Sequence, residues 1–302
     1  MNAFLHFRPG LSARIRCFLL GAVLACLVAG VTHAAQRPPN VLIILTDDQR
    51  WDAMSCAGNR LVKTPNMDKL ASEGIRLDRA FVASPICAAS RASIFCGVFP
   101  QQHGGVSLHS PGFINSVVKE KRFATLPAIL KNAGYHTAFW GKSHLGEPTT
   151  FGLAEGKEFH DPNDEQTFAE AEKFLAREAK SERPFLLWLT PKNPHLPLSA
   201  PQRFKDLYKD SDIKLDPNWR ESPLMESIFN QGPAGAISFR DSNGAIYPRA
   251  PKGLTGGPPR NEAQMKEIIK AYYGDVSCLD EQIGTLVANL KTNGLYENTI
   301  II

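Results

Sequence analysis

The chain has 302 residues, 43% of them hydrophobic and 21% charged, a globular composition that excludes disorder, collagen and a polytopic membrane protein. Its formal net charge is +4, but Arg8, Arg14 and Arg16 supply three of those positives ahead of residue 36, where no acid stands. The single surplus charge on the remainder is too small for a nucleic-acid-binding surface.

The three arginines precede an apolar run from Cys17 to Val31 and a small-residue exit, Thr32-His33-Ala34-Ala35. Charged start, greasy centre and small exit describe a secretory signal peptide over residues 1–34, cleaved near Ala34. As a helix the fifteen-residue run would cross only ~22 Å, short of the ~30 Å hydrocarbon core, so no stable membrane span is expected after cleavage. A lipoprotein reading through Val23-Leu24-Ala25-Cys26 fits less well, because it leaves most of the apolar segment uncut. The location expected is therefore the periplasm or the cell exterior. Signal removal takes Cys17 and Cys26 and leaves Cys56, Cys87, Cys96 and Cys278. Four could form two disulfides, but they are too scattered for a disulfide-dense scaffold, and no CxxC or His-rich spacing suggests zinc.

After Pro38-Pro39, the continuous run Asn40 to Thr46 predicts a strand buried on both faces, as in a parallel sheet beneath helices. Asp47-Asp48 then stands at its carboxyl end, where open α/β sheets place ligands and two carboxylates suit a hard cation; a solvated turn or helix cap is the plainer alternative. Thr64-Pro65-Asn66 opens a short helix that stops at Gly74, and Ile75 to Val82 reads as a second strand. A loop ending at Cys87 runs into an alanine-rich helix, placing the thiol near a helix N-terminus with Arg91 one turn on. By charge alone that is an activated cysteine; a buried small hydrophobe is the alternative.

Thr125 to Asn132 predicts a short helix and Tyr135 to Trp140 a strand. At that strand's end Gly141-Lys142-Ser143-His144-Leu145-Gly146 aims a lysine and a histidine into one cleft. Glu165 to Lys180 predicts an amphipathic helix burying Phe168, Ala171, Phe174, Leu175 and Ala179. Phe185 to Leu189 reads as another buried strand, leading to Pro191-Lys192-Asn193-Pro194-His195-Leu196-Pro197, where prolines on both sides restrict the backbone around His195. Residues 208–260 hold seven prolines and little periodicity, the character of a binding insertion. A long helix capped by Asn261 and Gln264 carries an apolar stripe from Met265 to Leu290 and ends at Asn293-Gly294, and Thr299 to Ile302 begins a further buried strand.

Carboxylates, a distinctive cysteine, Arg, Lys and two His thus follow strands of one sheet, a cleft suited to a cation and an anionic ester. The order of Pro39 to Asp48, Cys87-Ala88-Ala89-Ser90-Arg91, Gly141 to Gly146 and Asn193-Pro194-His195 resembles that of the type I sulfatases of the alkaline phosphatase-like superfamily. The likeness runs from about residue 39 to the end. Ala89 stands where that family usually writes proline. The resemblance implies an α/β three-layer sandwich around a mostly parallel sheet, and conversion of Cys87 to formylglycine by a maturation enzyme, which would keep this cysteine out of any disulfide. It implies a metal, usually Ca2+ with Mg2+ as the alternative, held partly by Asp47, Asp48 and the modified Cys87. Arg91 would orient the formylglycine hydrate, Lys142 would neutralise sulfate, His144 would accept a proton, and His195 would act near the leaving alcohol.

In that family the last strand runs into a Thr-Ser-Asp-Asn-Gly-like loop that completes the metal shell, followed by a sulfate-binding lysine and a smaller C-terminal subdomain. Here the sequence stops at Ile302, so residues 39–302 read as an incomplete N-terminal catalytic portion, truncated at its C-terminus. A partial or frameshifted gene reading is preferred over a naturally shortened product, because ending inside a buried strand would expose core and sheet edge. Asp241-Ser242-Asn243-Gly244 reads as an ordinary turn, since it precedes the long helix and follows no strand. The function expected is a sulfuric ester hydrolase acting on a sulfated glycan or small molecule, carbohydrate or aryl. The alternatives are a phosphodiesterase or phosphonate monoester hydrolase of the same superfamily, and an inactive or merely glycan-binding fragment.

Overall fold

Runs of branched and aromatic residues pair side by side because each has two apolar faces to cover and helices on either side to cover them. The computed structural model describes residues 37–107, 112–159, 161, 163–217, 219 and 261–302, with the backbone alone of 239–240 and 246–247. The strands in chain order are β1 (Asn40–Ile44), β2 (His136–Gly141), β3 (Glu155–Lys157), β4 (Phe185–Thr190), β5 (Phe239–Arg240), β6 (Ile246–Tyr247) and β7 (Thr299–Ile301). Five of them form one sheet in the order β3-β2-β4-β1-β7. Every pairing in it is parallel, with Val41 opposite Leu186 and Ile300, and Ala138 opposite Leu187 and Glu155. The short β5 and β6 pair antiparallel as a separate ribbon.

The helices are α1 (Pro65–Glu73), α2 (Cys87–Cys96), α3 (Pro100–His103), α4 (Leu126–Asn132), α5 (Glu165–Glu178), α6 (Gln202–Lys205) and α7 (Glu262–Thr292), with a π-helix at Ile114–Lys119. Alternation along β4 sorts them into two layers. Phe185, Leu187 and Leu189 pack with Phe168, Phe174 and Leu175 of α5 and Leu279, Ile283 and Leu286 of α7. Leu186 and Trp188 face the other way, onto Ala88, Ala92 and Phe95 of α2 and onto Phe113 and Phe151. Phe95 stacks on Trp188 with ring centroids 4.4 Å apart and planes 6° from parallel. Fully buried side chains of this size each stabilise the fold by about 1.5–3 kcal/mol. The result is a three-layer α/β sandwich.

Two helices start at a side-chain cap. Thr125 accepts a hydrogen bond from the Ala128 amide at 3.2 Å, and Asn261 accepts one from the Gln264 amide at 2.9 Å. Buried acids on α7 fasten the helix to its neighbours. Asp280 accepts from the Asn66 and Met67 amides at the start of α1, at 3.1 and 2.8 Å, and Asp275 from the Ser199 and Ala200 amides at 3.1 and 2.7 Å. One turn beyond Asp280, Gly284 lets α1 approach, since a Cβ there would lie 2.4 Å from the Asn66 side chain.

Several sequence expectations are corrected. The strand expected to be buried at Thr299 to Ile302 forms as β7, but at the edge of the described sheet, with Ile300 49% and Ile302 69% exposed. Ile75 to Val82 is not a strand but an irregular, exposed segment, with Ile75 90% and Phe81 93% accessible; no strand among the described residues offers it a ladder. Ala179 is exposed just past the end of α5, and the buried residue there is Glu178, whose carboxylate meets His136 Nδ1 at 2.8 Å. The signal-peptide reading of residues 1–34 and the Asp241 to Gly244 stretch itself lie outside the described residues, but that stretch does follow a strand, contrary to the sequence expectation: β5 ends at Arg240 directly before it. Among the described residues no helix is long and apolar enough to cross a membrane, and Cys56, Cys87, Cys96 and Cys278 are all unpaired.

Candidate active site

Three strand ends bring the charges together. Asp47 follows β1, with its amide on the Asn193 carbonyl at 3.4 Å. Lys142 follows β2, where Gly141 has φ of 110° and a Cβ would stand 2.2 Å from the Thr190 carbonyl oxygen. Only glycine permits that approach, which lets the Lys142 amide bond the same oxygen at 2.8 Å and turns the lysine into the site. His195 lies in the turn after β4, which contains cis peptide bonds at Asn193-Pro194 and Leu196-Pro197.

Asp47, Lys142 and Arg91 are all buried. The Lys142 ammonium is hydrogen-bonded to Asp47 Oδ2, Arg91 Nη2 lies 3.5 Å from the same oxygen, and Arg91 Nη1 donates to the Lys142 carbonyl at 2.6 Å. Burial raises the Asp47 pKa, but Lys142 and Arg91 outweigh it and hold the carboxyl below its ordinary value. Burial lowers that of Arg91, opposed chiefly by Asp47. Arg91 sits one turn beyond Cys87, the first residue of α2, and is close enough for the two to interact electrostatically.

The two histidines flank this group differently. His144 has a left-handed backbone with φ of 61°. The Ser143 and His144 amides both donate to Glu158 Oε1, at 2.9 and 2.8 Å. Although part of His144 reaches solvent, desolvation of its ring, with Lys142 and Arg91 nearby, pulls its pKa down to about 4. His195 Nδ1 is 2.6 Å from the Leu196 carbonyl, which can only accept, so Nδ1 carries a proton and Nε2 faces Asp48 Oδ2 at 3.7 Å.

Asp47, Asp48, Arg91, Lys142, His144 and His195 thus share one charged neighbourhood, with Cys87 at its helix edge. Oxygen donors suit a hard dication, and Asn193, wholly buried next to Asp47, has neither side-chain polar atom hydrogen-bonded among the described residues. The fit is partial: no three His, Cys, Asp or Glu side chains converge as a metal set among the described residues, and Lys142 engages Asp47.

Two supports went unread in the sequence. Glu158 is the first, and Asp164 the second: buried, at φ of 57°, it accepts from the Lys192 and Asn193 amides at 2.6 and 2.9 Å. Burial pushes its pKa up to about 6, against those two hydrogen bonds. The one local signal was an aspartate just before a helix, which reads as a cap.

The Sulfatase family model matches residues 39–302. An ulvan-active sulfatase of Formosa agariphila is 28% identical over 87% of this chain and 49% of its own length. An N-acetylglucosamine-6-O-sulfatase of Bacteroides thetaiotaomicron is 28% identical, covering 88% and 57%. The chain spans about half the length of the curated relatives it matches. Among solved structures, one in complex with its substrate D-glucosamine-2-N,6-O-disulfate superposes with a TM-score of 0.66 at 23% identity, covering 88% of this chain and 64% of that one. A phosphonate monoester hydrolase of Agrobacterium radiobacter superposes with a TM-score of 0.64 at 20% identity, covering 87% and 61%. At these identities the superpositions speak to fold, the alkaline phosphatase-like α/β sandwich.

Proposed function

This chain belongs to the sulfatase family, and from that premise we propose that it serves the hydrolysis of sulfate esters, in the first instance those of carbohydrates, with Cys87 as the source of the nucleophile. The observation that carries the reading is the burial of Asp47, Arg91 and Lys142 in one network at the ends of β1 and β2, beside the helix that Cys87 opens. A sulfate monoester carries one negative charge. Its hydrolysis needs positive charge at the non-bridging oxygens and a proton source at the leaving oxygen.

A divalent metal, when bound, would polarise a sulfate oxygen, and a formylglycine made from Cys87 would supply the attacking oxygen as its hydrate. Asp47, Asp48 and the modified Cys87 are the residues that would hold the metal. Arg91, fixed by its bond to the Lys142 carbonyl, orients the group at residue 87, and Lys142 brings its ammonium to the sulfate. His144, neutral at neutral pH because its pKa lies near 4, accepts a proton. His195, with Nδ1–H committed to Leu196, keeps Nε2 for proton exchange with the leaving alcohol. Carbohydrate is favoured by the names of the relatives, and export by the charged, apolar and small-residue stretches of residues 1–34.

The test is steady-state turnover of an aryl sulfate and an aryl phosphodiester, with mass spectrometry of the Cys87 peptide from the native host. Sulfate turnover with an aldehyde mass at residue 87 is expected. Faster phosphodiester cleavage would move the assignment to phosphorus esters, and an intact, alkylatable thiol would remove the proposed nucleophile.

A further inference from the structure

Beside the charged strand ends lies a cavity of about 460 Å3 whose wall includes Asp48 and Pro194, the neighbours of His195. We propose that it is the pocket for the leaving alcohol and that it takes one neutral ring with an apolar face; the proposal rests on the sulfatase reading above. Its floor is the first three turns of α7, where Met265, Ile268, Ile269 and Tyr272 follow one another at helical spacing. Further along the helix the same stripe is sealed against the sheet, whereas these four remain only half-buried. Leu196 and Leu198 close the opposite side.

The floor is tied to the reacting end. The Tyr272 hydroxyl donates to the Asp48 carbonyl at 2.9 Å and accepts from the Arg50 amide at 2.7 Å, so a ring lying on Tyr272 has a fixed place relative to Asp48 and, through it, His195. Charge at the mouth decides the ligand class. Arg50 is forked onto Asp52 at 2.8 and 2.7 Å and lies 3.6 Å from Asp216, so its charge is already answered. Among the described residues, the lining with Lys214 holds two cations against three carboxylates. A second sulfate or carboxylate on the leaving group would find no positive surplus among the described lining residues, while a ring with an apolar face would cover the isoleucines. An aryl ring and an uncharged pyranose share that chemistry.

The test compares 4-nitrophenyl sulfate, N-acetylglucosamine 6-sulfate, D-glucosamine-2-N,6-O-disulfate and methyl sulfate on the full chain, native and carrying Ile268→Trp or Met265→Trp to fill the floor. The singly charged ring esters should exceed the disulfate in kcat/KM by about tenfold or more, and each filling variant should lower the ratio of ring-ester to methyl sulfate kcat/KM by a similar factor, through KM. The two ring esters against each other tell an aryl from a sugar pocket. Preference for the disulfate, or an equal loss on methyl sulfate, overturns the proposal. If no ester turns over, the sulfatase reading has failed, and the pocket is judged by titrating 4-nitrophenol and N-acetylglucosamine against native protein and the filling variants. Binding weakened by filling sustains a ring pocket, and binding that is absent or unchanged ends it. Circular dichroism melts identify any variant that has merely unfolded.

Discussion

The loops after β2 and after β4 leave the sheet at the same end and each carries one histidine, yet they are built in opposite ways. The β2 loop drives a lysine inward, and desolvation of its histidine, reinforced by the Lys142 and Arg91 charges, pulls that ring's pKa down to about 4. The β4 loop turns its histidine toward the carboxylate of Asp48 and commits Nδ1 to a backbone carbonyl. Each loop is held by an acid from elsewhere that accepts two consecutive amides, Glu158 for the first and the fully buried Asp164 for the second. On the proposed reading, one residue type would thus receive two proton duties from its surroundings, the general route by which a site separates acid from base.

The largest effect that could break this contrast is at Lys142. Lys142→Ala should lower kcat/KM for an aryl sulfate by about a thousandfold, by analogy with removal of a preorganised charge-stabilising donor. Retention of most activity would make Lys142 a structural partner of Asp47 only. Next comes His195→Ala, expected to cost about a hundredfold in kcat for esters of weakly acidic alcohols and progressively less as the leaving phenol becomes more acidic. A uniform loss across leaving groups would detach His195 from the departing oxygen.

The supports should rank by burial. Asp164→Ala leaves the buried Asn193 amide and the half-buried Lys192 amide unpaired and should cost about 1–3 kcal/mol in a denaturant melt, with Glu158→Ala, on the more open loop, costing about 1 kcal/mol or less. The reverse order would mean that the β2 loop is the more tightly held.

The smallest effect is in pH dependence. His144 has its pKa depressed from 6.5 to about 4, so its contribution to stability is present above 6.5 and lost as pH falls through about 4. Asp164 has its pKa raised from 3.8 to about 6, so its contribution is present below 3.8 and lost as pH rises through about 6. The two slopes oppose each other between pH 4 and 6. His144→Ala should therefore make stability fall more steeply with rising pH in that window, and Asp164→Asn should make it rise. NMR titration of the His144 ring checks the first assignment directly, and an ordinary imidazole midpoint would sink it.

Much of the frame was legible because it is written locally. The continuous runs at Asn40 and Phe185 specify strands covered on both faces, and Thr125 and Asn261 specify helix starts, since burial pattern and capping depend on residues a few positions apart. The order of Asp47-Asp48, Cys87 to Arg91, Gly141 to Gly146 and His195 put the candidates in the loops after strands or in the first turns of a helix. The same local reasoning failed at Ile75 to Val82, because a strand needs a partner and its sequence cannot say whether one is there. It also missed β3, whose Glu155-Gly156-Lys157 has no apolar run at all.

By itself the sequence determined the parallel sheet, the helices that cover it, and which residue types stand at its charged end. Only the tertiary structure decided which charges meet: Lys142 and Arg91 on Asp47, His195 toward Asp48, Glu158 and Asp164 under the two loops, and Asp275 and Asp280 fastening α7 to its neighbours. The physical reason is that these contacts answer buried charges and backbone amides, which any carboxylate brought within reach can do, so they leave no periodicity or spacing in the chain to be read.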